Sequence, residues 1–113
     1  MMLYPVRTKP SKFGSCAISV GITEVPPEIW ERLLTRHMNG DWGDLGDSDK
    51  ATNDRAFKEG KSYWMLSVYK NAYKGKDIWI ETNGYGLSRD VMDLVNHKVA
   101  DYNHTVIMFP SER

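Results

Sequence analysis

Residues 23–40 constrain this fold more than any other stretch: TEVPPEIWERLLTRHMNG. Pro26 and Pro27 suit a helix start, where a missing backbone N–H leaves nothing unpaired. Glu28 and Glu31 lie in the first turns, where the helix dipole favours carboxylates. Trp30, Leu33, Leu34, His37 and Met38 then fall at i, i+3, i+4, i+7 and i+8, one face of a 3.6-residue period. Asn39-Gly40 is a left-handed stop. The spacing predicts a helix over 23–38 that must bury one apolar stripe.

Strands follow that helix more than they alternate with it. Residues 13–22, FGSCAISVGI, alternate around Cys16, Ile18 and Val20 and predict a strand. A second helix is expected over 48–59, with Ala51, Ala56 and Phe57 as a weak apolar face and Gly60 as its stop. SYWMLSVY (62–69) and DIWIET (77–82) read as strands joined by a turn at 71–76. SRDVMDLVN (88–96) fits a short helix capped by Ser88, with a strand as the alternative. HTVIMF (104–109) is a final strand that Pro110 ends. Residues 1–12, with Pro5 and Pro10 around Arg7 and Lys9, read as an extended arm. The chain is therefore expected to be one α+β domain over 1–113. About four mostly antiparallel strands would carry two or three helices on one face.

Composition narrows the function classes. Fifteen Lys+Arg balance fifteen Asp+Glu. That balance removes the bulk positive charge on which non-specific nucleic-acid binding depends. It also leaves little repulsion between copies, which permits a homo-oligomer. No apolar run is long enough for a membrane span, and the N-terminal residues lack the apolar core of a secretory signal. The lone Cys16 excludes an internal disulfide and a cysteine-built zinc site. A cytoplasmic setting is the expectation. Four Trp, six Tyr and three Phe are a large allotment of rings for 113 residues, and such rings serve either as core or as pocket wall.

The chemistry-bearing group is HMNGDWGD, residues 37–44. Gly40 and Gly43 frame a turn with an indole at its centre and aspartates on both sides. One reading is structural: Trp42 covers the core while Asp41 and Asp44 accept loop amides, as Asx turns do. A second is a ligand pocket, in which Trp42 stacks a planar group and the aspartates accept bonds from hydroxyls or amines. A third pairs His37 with Asp41 or Asp44 for acid–base work or a hard cation. No calcium-loop spacing, nucleophile elbow, P-loop or H-E-x-x-H is present. Gly84-Tyr85-Gly86 reads as a turn. The lysines at 58, 61, 70, 74 and 76, beside Tyr69 and Tyr73, form a basic cluster able to meet a phosphate or simply to face solvent. The expected ligand-binding set is Asp41, Trp42, Asp44 and Asn53, with Tyr69 and Thr82 reaching in from the strands. His37 and Glu81 are further candidates. No catalytic residue, metal ligand or cofactor is assigned.

The same residues carry a resemblance. The chain resembles small plasmid- and phage-associated bacterial proteins with a His-x-x-Gly-Asp-Trp-Gly-Asp core, matched by His37, Gly40, Asp41, Trp42, Gly43 and Asp44. Asp49 and Asn53 match the next helix, Ser67 and Tyr69 a strand, and Ile78, Trp79, Ile80 and Thr82 another. Val106 to Pro110 match the last. The pattern puts an acid after the Thr, whereas here Asn83 stands there and Glu81 precedes it. The stretch 84–103 is also longer. The resemblance implies a mobile-element setting and lends no activity.

Three functions follow as expectations. The first is a non-enzymatic binding protein for a small polar ligand, such as a nucleotide, acting against a host defence signal. The second is a protein-binding inhibitor of a host defence complex. The third is a small hydrolase or transferase using His37 with Asp41 or Asp44. The missing catalytic motif leans toward a binder.

Overall fold

The stop signals and apolar runs resolve, in a computed structural model describing residues 3–6, 13–59, 64–84 and 103–113, into two helices packed on one sheet. In chain order the strands and helices are β1 (Leu3–Val6), β2 (Ser15–Ser19), α1 (Pro27–Met38), α2 (Asp47–Glu59), β3 (Met65–Tyr73), β4 (Lys76–Gly84) and β5 (Asn103–Met108). Short 3-10 turns stand at Gly21–Glu24 and Pro110–Glu112. The expected element at 88–96 lies outside the described residues.

The strands form one sheet in the order β1-β2-β5-β4-β3. Every neighbouring pair is antiparallel except β2 with β5. The α+β class and the mostly antiparallel sheet are thus as expected, with five strands among the described residues in place of about four. The additional strand is β1, from the segment expected to be an arm: Leu3–Val6 pairs with Ser19–Cys16. Its pattern was hidden because Leu3, Tyr4 and Pro5 are all exposed and no alternation develops. Proline is compatible with such an edge strand, where its missing N–H can face solvent.

Several boundaries also move, among them the start of the first helix, expected at 23 and found at Pro27. The predicted 13–22 strand keeps Ser15–Ser19, while its last two residues, Gly21 and Ile22, belong to a 3-10 turn at Gly21–Glu24 that buries Ile22. The predicted turn at 71–76 contracts to Lys74-Gly75, whose φ values of 49° and 76° match the tight hairpin turn that follows strand twist. β3 therefore runs on to Tyr73, with a register shift after Tyr69.

α1 ends as its Asn-Gly predicts. The Gly40 amide donates to the His37 carbonyl, and the Asp41 amide to the Arg36 carbonyl at 2.9 Å. With Gly40 at φ +79° this is a Schellman closure. It also throws residues 41–44 back toward the sheet. The stripe of Trp30, Leu33 and Leu34 packs with Ile22 and Val25 on Cys16, Ile78, Ile80 and Ile107. A smaller cluster of Phe13, Trp42, Ala56 and Met65 lies beneath α2. Each buried side chain of this size contributes about 1.5–3 kcal/mol on transfer from water.

Candidate functional site

β3 is the outer strand of the sheet, and its exposed edge would leave a row of backbone groups unpaired. Residues of the Gly-Asp-Trp-Gly-Asp loop and of α2 meet that edge at alternate positions. At Leu66, the Asn53 side chain donates to the carbonyl at 2.6 Å and accepts from the amide at 3.4 Å. At Val68, the amide donates to the Trp42 carbonyl and the carbonyl accepts from the Asp44 amide, so that Gly43 and Val68 form a short parallel bridge. At Lys70, the amide donates to Asp44 Oδ2 at 2.9 Å. Residues two apart on a strand share one edge, so the loop and Asn53 together seal it.

Gly43 has φ +70°, and a Cβ there would strike the Val68 carbonyl oxygen and the Tyr69 ring. The loop cannot approach the strand with any larger residue. Asp41 is held on the outer side. Its carboxylate accepts from Arg36 Nε at 2.7 Å and Nη2 at 3.2 Å, and from the Gly43 amide at 3.1 Å. The bond from Arg36 holds the Asp41 carboxyl below its ordinary range and raises the guanidinium in turn. Both side chains are about half exposed. The Arg36 guanidinium also lies 4.7 Å from the centre of the Tyr69 ring, and Tyr69 donates its hydroxyl to the Asp41 carbonyl at 2.7 Å. Burial pushes the Tyr69 phenol up to about 12.

Trp42 does not line a cleft. It is only 3% exposed and stands edge-on to His37 and Phe57, with its indole N–H donated to Asp54 Oδ1 at 2.7 Å. The expectation of an indole presented to a planar ligand is corrected. The helix stop turns the loop inward, and the apolar face of α2 closes over the ring.

His37 lies deeper still, with no exposed surface. Its Nδ1 is 2.6 Å from Ser67 Oγ and its Nε2 2.9 Å from Thr82 Oγ1. Thr82 meets Thr105 at 2.7 Å, and Thr105 donates to the Phe13 carbonyl at 2.8 Å. Each hydroxyl has one proton, which orders the chain. Thr105 spends its proton on Phe13, so Thr82 must donate to Thr105 and accept from His37. The imidazole therefore carries its proton on Nε2, and Nδ1 accepts from Ser67. Burial lowers its pKa to about 3, so the ring is neutral at ordinary pH. Neither Asp41 nor Asp44 bonds it, and the acid–base pairing considered for those residues does not form.

The structure thus brings Asp41, Trp42, Asp44, Asn53, Tyr69 and His37 into one region, joined through His37 to Thr82, as a bonded network. Glu81 lies apart, on the opposite face of the sheet. Its register partners are Leu66 and Val106, and its Oε2 accepts from Trp64 Nε1 at 2.7 Å and Arg113 Nη2 at 2.8 Å. No local spacing links Trp64, Trp79 and Arg113 to Glu81, so the sequence does not announce this grouping. Asp54 was missed for the same reason.

An open groove of about 490 Å³ lies at the β3–β4 turn, lined by Gly75, Lys76, Asp77, Phe109, Pro110 and Ser111. Lys76 Nζ bridges to Glu24 Oε1 at 3.3 Å and lies 5.1 Å from the centre of the Phe109 ring. Of the basic cluster at 58, 61, 70, 74 and 76, Lys76 stands in this wall. Among the described residues no three His, Cys, Asp or Glu side chains converge as a metal site requires, and no helix is long and apolar enough to cross a membrane. Comparison with protein-family profiles, with curated proteins and with solved structures returns no match.

Proposed function

We propose that this chain is a non-enzymatic binding protein for a small polar ligand, with nucleotides as the class to test first. The observation that carries this reading is how the polar groups are distributed. The His/Asp/Trp motif is engaged in closing the sheet edge, whereas the groove beside Lys76 is open. Its volume lies within the range of small-molecule sites. Lys76 offers a cation for a phosphate, Ser111 a hydroxyl, and Phe109 with Pro110 an apolar wall. A mobile-element origin enters only as the setting that the resemblance lends.

Thermal-shift screening of nucleoside mono-, di- and triphosphates tests the proposal. A melting-temperature rise in the wild type that Lys76→Ala abolishes and Asp41→Asn leaves intact supports it. No shift with any nucleotide, or a shift indifferent to Lys76, overturns the nucleotide reading.

A protein-binding modulator is the second reading. It is favoured by one observation, the exposed Leu3, Tyr4 and Val20 at the β1 end of the sheet. Capture of a stoichiometric partner that Tyr4→Ser and Val20→Ser release would support it.

A further inference from the structure

The side of the sheet away from the helices carries a group that the proposed function does not use. Glu81 projects from β4 between Leu66 and Val106, both nearly buried. Its side chain is 14% exposed. A carboxylate in such a setting is costly unless cations or donors meet it. Trp64 supplies one indole N–H and Arg113 the guanidinium, both to Oε2. The Arg113 guanidinium also stands 5.7 Å from the centre of the Trp79 ring, within reach of a cation–π attraction. The Trp79 indole nitrogen is buried with no hydrogen-bond partner among the described residues.

A half-buried carboxylate with a donor fixing it and an indole face beside it forms a seat for a planar cation. Strands supply Glu81 and Trp79, and Trp64 directly precedes β3, so the seat is held by the sheet. Its occupant is not held in the same way. Arg113 follows the 3-10 turn that Glu112 anchors: Glu112 accepts from Ser19 Oγ, the Phe109 amide and the Gly21 amide. The Arg113 side chain extends beyond that anchor and remains 46% exposed. The acid is thus nearly enclosed while nearly half of the cation's side chain stays in water.

We propose that Trp64, Trp79 and Glu81 form a recognition site for a guanidinium group, which Arg113 fills as an intramolecular, displaceable occupant. The ligand is a free guanidino compound or an arginine side chain of a peptide, since both present the same planar cation. This site is separate from the groove at Lys76 and does not depend on the nucleotide reading. A tethered side chain competes at an effective concentration in the millimolar range, so removing it should strengthen binding of an external guanidinium by on the order of tenfold. Arginine should be preferred to lysine, because the planar fork matches both carboxylate and ring face.

The test titrates L-arginine amide, L-lysine amide and the peptide Gly-Arg-Gly into the full chain, wild type and Arg113→Ala, at fixed ionic strength. Binding is followed by the four tryptophan indole N–H signals in NMR. The expected result is binding to Arg113→Ala on the order of tenfold tighter than to wild type. The Trp64 and Trp79 signals should move, and those of Trp30 and Trp42, on the helix-covered face, should stay. A tighter response to the amide assigns the free compound, and a tighter response to the peptide assigns the side chain. Glu81→Gln in the Arg113→Ala background should abolish the effect; should that variant not fold, the pattern of indole signals decides alone. Equal binding by wild type and Arg113→Ala, equal response to lysine amide, or movement of all four indoles alike overturns the proposal.

Discussion

Trp42 donates its indole N–H to Asp54 Oδ1 at 2.7 Å, tying the glycine-framed loop to the second helix. The loop is thereby pinned twice, by its backbone to β3 and by its one ring to α2. Trp42→Ala should destabilise the chain by about 3–5 kcal/mol, the range for removing a large buried ring. Asp54→Ala should cost about 1 kcal/mol, because it strands a buried donor at a site that water partly reaches. Urea denaturation checks both. A double-mutant cycle with Trp42→Phe isolates the hydrogen bond.

His37 makes stability depend on pH. Its folded-state pKa is about 3, below the ordinary 6.5, because it is buried. Between those values the unfolded chain binds a proton that the folded chain refuses. The contribution is complete above pH 6.5 and is lost as pH falls toward 3, amounting to on the order of 5 kcal/mol. Urea melts at pH 7, 5 and 4 should show this loss. His37→Gln should be less stable at pH 7, with a smaller drop between pH 7 and 4 than the wild type.

Gly43 and Gly46 should respond in opposite ways to the same substitution. Gly43→Ala forces a Cβ against the Val68 carbonyl at φ +70°, whereas a Cβ at Gly46 meets nothing among the described residues within 4 Å. The first should cost about 2–3 kcal/mol, combining left-handed strain with a breached sheet edge. The second should lie within about 0.5 kcal/mol of wild type. Hydrogen exchange at Val68 and Lys70 should accelerate in Gly43→Ala alone.

Glu112 should act as a carboxylate latch. Burial alone would raise its pKa, but the Ser19 hydroxyl and the Phe109 and Gly21 amides outweigh that and hold it below the usual range. The stability it contributes is present above the ordinary carboxylate pKa and is lost as pH falls through the depressed value. Glu112→Ala should cost about 2–3 kcal/mol at neutral pH, consistent with hydrogen bonds to a charged group, read as a lowered urea midpoint. The loss should shrink in acid.

What the sequence by itself determined was local. The 3.6-residue stripe from Trp30 to His37 and the Asn39-Gly40 stop placed α1, because helix period and cap chemistry act between residues close along the chain. The strands at β3, β4 and β5 followed from runs of branched and aromatic residues, and with them the α+β class. β1 was not legible, since an exposed edge strand containing a proline shows no alternation. The motif at 37–44 was legible as a unit, but its role was not. Whether Trp42 faced a ligand or Phe57, and whether Asp44 bonded a substrate or the Lys70 amide, depended on the edge of β3, more than twenty residues away. The pairing of Glu81 with Trp64 and Arg113 was equally invisible. Only the tertiary structure decided these, because hydrogen bonds and burial between distant segments depend on strand register and helix packing, and no local spacing encodes them.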